Sequence, residues 1–154
     1  MSFKITVIGG LAYYFSLFAV SMVLGHFIHD PGSGVLAEAY RDTAAFWRPE
    51  LMSNPPDMSL MWKLWIPSGV AAALIAAAVY SAVRSALQGP PWVRGLRFGV
   101  ITIAFCVINA LGYHGVFNLP DRIWAWWIFG SVISNLIAGA VLGWVAHKVA
   151  PAAH

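Results

Sequence analysis

Three histidines form the grouping in this sequence with the most evident chemistry. His26 and His29 stand three residues apart near the end of the first apolar run, so on a helix they share one face, with Met22 one turn deeper and Asp30 directly after. His114 stands near the end of the third apolar run, with Cys106 and Ala110 lined up beneath it. If the first and third runs cross a membrane in the same direction, His26 and His114 lie at nearly one depth. Three imidazoles would then converge with Asp30 and Asp121. Imidazole and carboxylate suit zinc, copper or iron, and two facing histidines in a helical bundle could ligate a haem. Met52, Met58 and Met61 fall on the same side and would favour copper. The competing reading is plainer: interfacial histidines one turn from water, and methionines that touch lipid or a partner. His147 and His154 lie towards the C-terminus, where partial positive charge suits a helix end.

The elements that must position these side chains are membrane spans. The chain has 154 residues, of which 60% are hydrophobic and only 10% charged, against roughly 45–50% and about 25% in soluble domains. Mean hydropathy is +0.72. So few charges cannot solvate so much apolar surface, which excludes a soluble enzyme, a disordered tail, a disulfide-stapled secreted module and a nucleic-acid binder. The single cysteine, Cys106, excludes an intrachain disulfide and dithiol redox chemistry. A bilayer core needs about 20 apolar helical residues, and four stretches qualify, at about 5–29, 59–87, 97–117 and 123–147, with a long loop over 30–58. The first exceeds the roughly 7–15 residues of a signal-peptide core, so it is expected to be retained as a span. Asn118 to Asp121 leave so short a link that the last two spans must form an antiparallel hairpin. The expected fold is all-α: one integral membrane four-helix bundle spanning residues 1–154.

Charge sets the expected orientation. Lys4, Arg84, Arg94, Arg97 and Lys148 fall on one side with no acid, while all six acids fall on the other with Arg41, Arg48, Lys63 and Arg122. The positive-inside rule then puts both termini in the cytoplasm. Trp47, Trp62, Trp65, Trp124, Trp126 and Trp127 map to the outer side as a collar of interfacial anchors; a platform for a pigment, quinone or partner helix is the sharper alternative. In the outer loop, Leu36, Tyr40, Ala44 and Trp47 keep helical spacing, which predicts a short amphipathic helix lying on the membrane surface and ending at Pro49.

Within lipid, helices associate through close packing and hydrogen bonds. The second span offers a small-residue run from Gly69 to Ala78, and the fourth offers Gly139 and Gly143 as a GxxxG pair beside Ser131, Ser134 and Asn135. Asn109 and Asn135 read as lying at similar depth, able to bond across the hairpin or to line a ligand site. No acid or base stands in the middle of any span, and no HExxH motif, nucleophile triad or phosphate loop is present.

The stretch Gly95-Leu96-Arg97-Phe98-Gly99 resembles a turn seen in small, uncharacterised bacterial four-span membrane proteins. The resemblance covers about the last two-thirds of the chain and implies architecture only, with no activity attached; the expected location is a bacterial inner membrane. The leading functional expectation is a non-catalytic accessory or assembly subunit of a larger membrane complex, whose partners are the bilayer and other subunits or a second copy. A metal- or haem-binding protein built on His26, His29, His114 and Asp30 is the alternative. A small oligomeric transporter, paired through its GxxxG face, is the third.

Overall fold

The computed structural model describes residues 1–30, 32–53, 57, 59 and 61–151. Every regular element among them is helical. α1 is Ile5–His29, opening with a π-helical stretch over Ile5–Gly9. α2 is Ala37–Asp42, followed by a 3-10 turn at Ala44–Phe46, and α3 is Pro49–Met52. α4 is Met61–Val83, α5 is Pro91–His114 and α6 is Asp121–Val149. α1, α4, α5 and α6 are each long and apolar enough to cross a membrane, which makes this a multi-pass membrane protein.

Local chemistry explains where these boundaries depart from expectation. α5 begins at Pro91, six residues before position 97, because a proline at the first helical position loses no hydrogen bond and arrives with its φ already set. Gly89, at φ 102, makes the left-handed turn that aims Pro90 and Pro91 into the helix. Arg94 lies in the first turn and returns its Nε to the Gly89 carbonyl at 2.7 Å. α4 stops at Val83 and not near 87. Arg84 still has helical φ and ψ and donates its N–H to Tyr80 O, but Ala86 and Leu87 then bond only three residues back, in tight turns. The Arg84 side chain donates Nη1 to the carbonyl of Ala150 at 2.7 Å. The loop helix is also shorter than expected. It ends at Asp42, and Pro49 starts a helical turn instead of ending one.

α6 is the central element. Along one side it packs on α5 and along another on α1, while α4 packs on α1. At the end that holds the two termini the bundle closes, with Tyr80 of α4 meeting Phe98 of α5 edge-on at 5.3 Å. The main core sits there and includes Ile5, Tyr14, Ala77, Tyr80, Phe98 and Leu142, drawn from all four spans. A second, smaller core of Ile28, Leu36, Ala39 and Ile123 closes the opposite, connector end.

The α5–α6 crossing is made by glycine on both helices. Gly139 and Gly143 form the anticipated pair, and their counterparts are Gly95 and Gly99, the ends of the GLRFG stretch. That stretch is helix and not a turn. A Cβ added at Gly95 would fall on the carbonyl oxygen of Gly139, and one at Gly99 would lie 2.5 Å from that of Asn135. Backbones this close give dense dispersion contact where lipid offers no hydrophobic drive.

Gly95→Ala is therefore expected to cost about 1–3 kcal/mol, as overpacking typically does. Gly112→Ala, on the same helix but facing open space, should cost nothing and gain up to ~1 kcal/mol of helix propensity. Thermal unfolding of both variants in detergent, followed by circular dichroism, checks the contrast.

Candidate functional site

The connector end is built by a turn that seals α1 and sends the chain back onto it. Asp30 leaves the helix, and its Oδ1 accepts from the backbone N–H of Gly32 at 2.9 Å and of Ser33 at 2.8 Å, and from the Ser33 hydroxyl at 3.1 Å. These donors hold the Asp30 carboxyl below the usual carboxylate range. Val35 and Leu36 then donate their N–H groups to the Phe27 and Ile28 carbonyls, both at 3.0 Å, satisfying the end of α1. α2 thereby lies against the bundle. Leu36 is fully buried, and Arg122 at the start of α6 reaches Glu38 at 3.3 Å and Asp42 at 3.8 Å.

Tyr40 is the hub of this end. Its ring stacks on His29, its Oη lies 2.6 Å from His29 Nδ1, and it accepts Trp127 Nε1–H at 3.0 Å. An indole nitrogen only donates, so the phenol hydrogen remains free to go to His29 Nδ1, an arrangement in which neutral His29 carries its proton on Nε2. Burial raises the Tyr40 phenol above its ordinary range, partly opposed by the Trp127 hydrogen bond. Trp47 meets both Tyr40 and Trp127 edge-on, at 5.1 and 5.9 Å, and donates Nε1–H to Thr43 Oγ1 at 2.9 Å. Trp127 continues to Trp124 at 5.4 Å, and Trp124 to His114 at 5.8 Å.

The histidines consequently do not converge. His26 is exposed, with Nδ1 4.0 Å from Asp30 Oδ2. His29 belongs to Tyr40, and His114 Nε2 pairs with Asp121 Oδ1 at 2.9 Å. Among the described residues no three His, Cys, Asp or Glu side chains are placed to share a metal ion. The reason is topological: α6 packs against both α1 and α5, and its Trp124 and Trp127 stand between His114 and His29. Met58 and His154 lie outside the described residues. The tryptophan collar also divides. Trp62 and Trp65 keep exposed rings, whereas Trp47, Trp124, Trp126 and Trp127 are buried or half-buried parts of the protein. Ala44 is exposed, so only Leu36, Tyr40 and Trp47 of the expected stripe turn inward.

The two asparagines part company as well. Asn135 lies midway along α6, where Oδ1 accepts the Tyr13 hydroxyl of α1 at 2.7 Å and the Thr102 hydroxyl of α5 at 3.1 Å. Its Nδ2 donates to the Ser131 carbonyl at 2.8 Å. One amide thus ties three spans together. Asn109 is exposed and donates only to Phe105 O of its own helix, at 2.9 Å. The partner of Asn135 is Thr102, seven residues before Asn109, which puts the two asparagines roughly 10 Å apart in depth.

Between the two cores, α1 and α6 separate to leave a groove of about 460 Å³, running from Asn135 to His29. Leu17, Leu24 and Ile28 form its apolar wall, and Trp126 and Trp127 its connector end. Its polar lining is Ser21, Ser131, Ser134, Asn135 and His29, with no Asp, Glu, Lys or Arg. The volume falls in the range of small-molecule sites, about 300–1,000 Å³. By sequence Ser131, Ser134 and Asn135 form a packing stripe beside the GxxxG pair, and nothing singles out Ser21. The available signal was the run of hydroxyl and amide groups at positions i, i+3 and i+4 of α6, facing a span with a further serine.

No protein family matches the chain, and no curated protein or solved structure does either.

Tyr40→Phe removes the hydroxyl shared by His29 and Trp127 and should cost about 1–3 kcal/mol, measured by thermal unfolding in detergent. The lowered Asp30 carboxyl stabilises its turn above the ordinary carboxylate pKa, and that contribution is lost as pH falls through its lower folded value. Gly34 amide protection from hydrogen exchange should therefore drop on acidification in the native protein, and Asp30→Asn should abolish the dependence.

Proposed function

We propose that the protein is a non-catalytic accessory subunit of a larger assembly in a bacterial inner membrane, with both termini in the cytoplasm and the connector end outside. The observation that carries the reading is Asn109. A primary amide exposed at membrane depth is costly unless a neighbour satisfies it, and among the described residues the Asn109 Oδ1 accepts no hydrogen bond. The surface around it supports an interhelical contact. Phe105 and Ile108 are 62% and 64% exposed, and Gly112 has open space where a side chain would be. Ile101, Phe105, Ile108 and Gly112 follow the four-three-four spacing of a helix seam, with Asn109 beside it. Small residues for close approach and one polar group as glue are what association in lipid uses. The occupant that fits is a transmembrane helix of another subunit presenting a hydroxyl or amide donor.

The placement of every acid on the connector side and the absence of acids near Lys4, Arg84, Arg94, Arg97 and Lys148 support the orientation. On this reading, native mass spectrometry after gentle extraction from the source membranes finds the chain bound to larger polypeptides. Asn109→Leu reduces that bound fraction about tenfold, the effect of losing ~1.4 kcal/mol, while leaving thermal stability in detergent unchanged. A chain that leaves its own membranes alone, or as a homo-oligomer indifferent to Asn109→Leu, overturns it.

A further inference from the structure

Eight serines and threonines lie in the four spans, and five of them have hydrogen-bond partners. Thr6 and Ser16 donate to carbonyls one turn back, Ser68 does the same, Ser81 accepts from the Ser2 backbone, and Thr102 bonds Gly99 O and Asn135. The other three are Ser21, Ser131 and Ser134, whose hydroxyls bond to nothing among the described residues. All three line the groove between α1 and α6. Ser134 is 6% exposed, so its free hydroxyl is held inside the protein and at the groove. A serine in a membrane helix ordinarily satisfies itself on the preceding turn, and a hydroxyl left unpaired in an apolar medium costs free energy. Three unpaired hydroxyls on one cavity point to a ligand that receives them.

The groove also specifies what that ligand is. Its lining contains no charged side chain, and its one ionisable group, His29, has Nδ1 held by the Tyr40 hydroxyl, which leaves Nε2 as the nitrogen able to donate to a ligand when Tyr40 donates to Nδ1. The head must therefore be neutral and rich in acceptors. Gly25 on one wall and Gly130 on the other each have nothing within 4 Å of an added Cβ, so both walls offer bare backbone to a flat group. Trp126 and Trp127 add aromatic faces. The groove is open along its side, between two spans, which admits a hydrocarbon tail from the bilayer.

We propose that this groove binds a membrane quinone: a flat, neutral ring with two carbonyl acceptors, taken from the bilayer, its oxygens bonded by the hydroxyls of Ser131 and Ser134 at the deep end and by His29 towards the connector end. The tail leaves along Leu17 and Leu24 into lipid. This is a binding site with no chemistry assigned to it, and it stands apart from the α5 seam.

The test uses the full chain in lipid nanodiscs, titrated with a decyl-substituted p-benzoquinone and followed by quenching of tryptophan fluorescence. Saturable quenching is expected. Gly130→Leu puts a branched side chain into the groove at a position where an added Cβ has nothing within 4 Å, and it should abolish saturation with the thermal unfolding temperature unchanged. Ser131→Ala with Ser134→Ala should weaken binding about tenfold or more, one lost hydrogen bond being worth about that. Decylbenzene, which has the tail and a ring but no carbonyls, should not compete. The proposal is overturned if quenching rises without saturation, if it is the same in Gly130→Leu, or if decylbenzene competes as well as the quinone. Should Gly130→Leu fail to fold, the serine pair and the decylbenzene competition decide the matter alone.

Discussion

A bilayer gives apolar helices no reason to prefer one another over lipid, so the arrangement of this protein rests on the few contacts lipid cannot imitate. The principal one is the side chain of Asn135, which accepts hydroxyls from Tyr13 on α1 and Thr102 on α5 at the middle of α6. An amide there must be satisfied internally, and the two helices that satisfy it are the two that flank α6. The glycine crossing at Gly95, Gly99, Gly139 and Gly143 lies beside it towards the terminal end and brings the α5 and α6 backbones close enough for Thr102 to reach. Polar bonding chooses the neighbours, and glycine packing sets their distance.

The rest of the molecule follows from α6 being central. His29 and His114 are kept on different sides of it, so the connector end becomes a continuous aromatic layer through Tyr40, Trp127 and Trp124 in place of an imidazole cluster. The fold-back after Asp30 supplies Tyr40 and Trp47 to that layer, and Trp47, Trp124, Trp126 and Trp127 are buried or half-buried parts of the protein. With one core at each end, α1 and α6 are free to part between them, and the groove is the space this leaves.

Much of the fold could be read from the residues. Four long apolar runs, the short link at Asn118 to Asp121, and Gly139 with Gly143 are local signals, and the helices at 61–83 and 121–149 appear within a few residues of where hydropathy puts them. α5 starts six residues earlier than hydropathy alone places it, because Arg94 and Arg97 interrupt the apolar run there. The Pro90-Pro91 start, where a helix gains a preset φ, was the better signal, and Gly95 and Gly99 were a second GxxxG pair in plain view. The site was less legible, because it depends on which helices are neighbours. Helical spacing correctly put His26 and His29 near one face, yet nothing local says that Tyr40 would claim one of them. Likewise Asn109 and Asn135 are both single amides in apolar runs, and only the register of the α5–α6 crossing separates a buried tie from an exposed one.

The most direct test of Asn135 as the tie between spans is a double-mutant cycle between Tyr13→Phe and Asn135→Leu, with unfolding free energies measured for the full chain in a bilayer-mimetic micelle. A coupling energy of about 0.6–2 kcal/mol, in the range of hydrogen bonds between membrane helices, is predicted. The same cycle with Tyr14→Phe, whose ring packs on Gly69 of α4, should give none. Additive effects of Tyr13→Phe and Asn135→Leu would contradict the account, since α6 would then be held in place by something other than the bond at its centre.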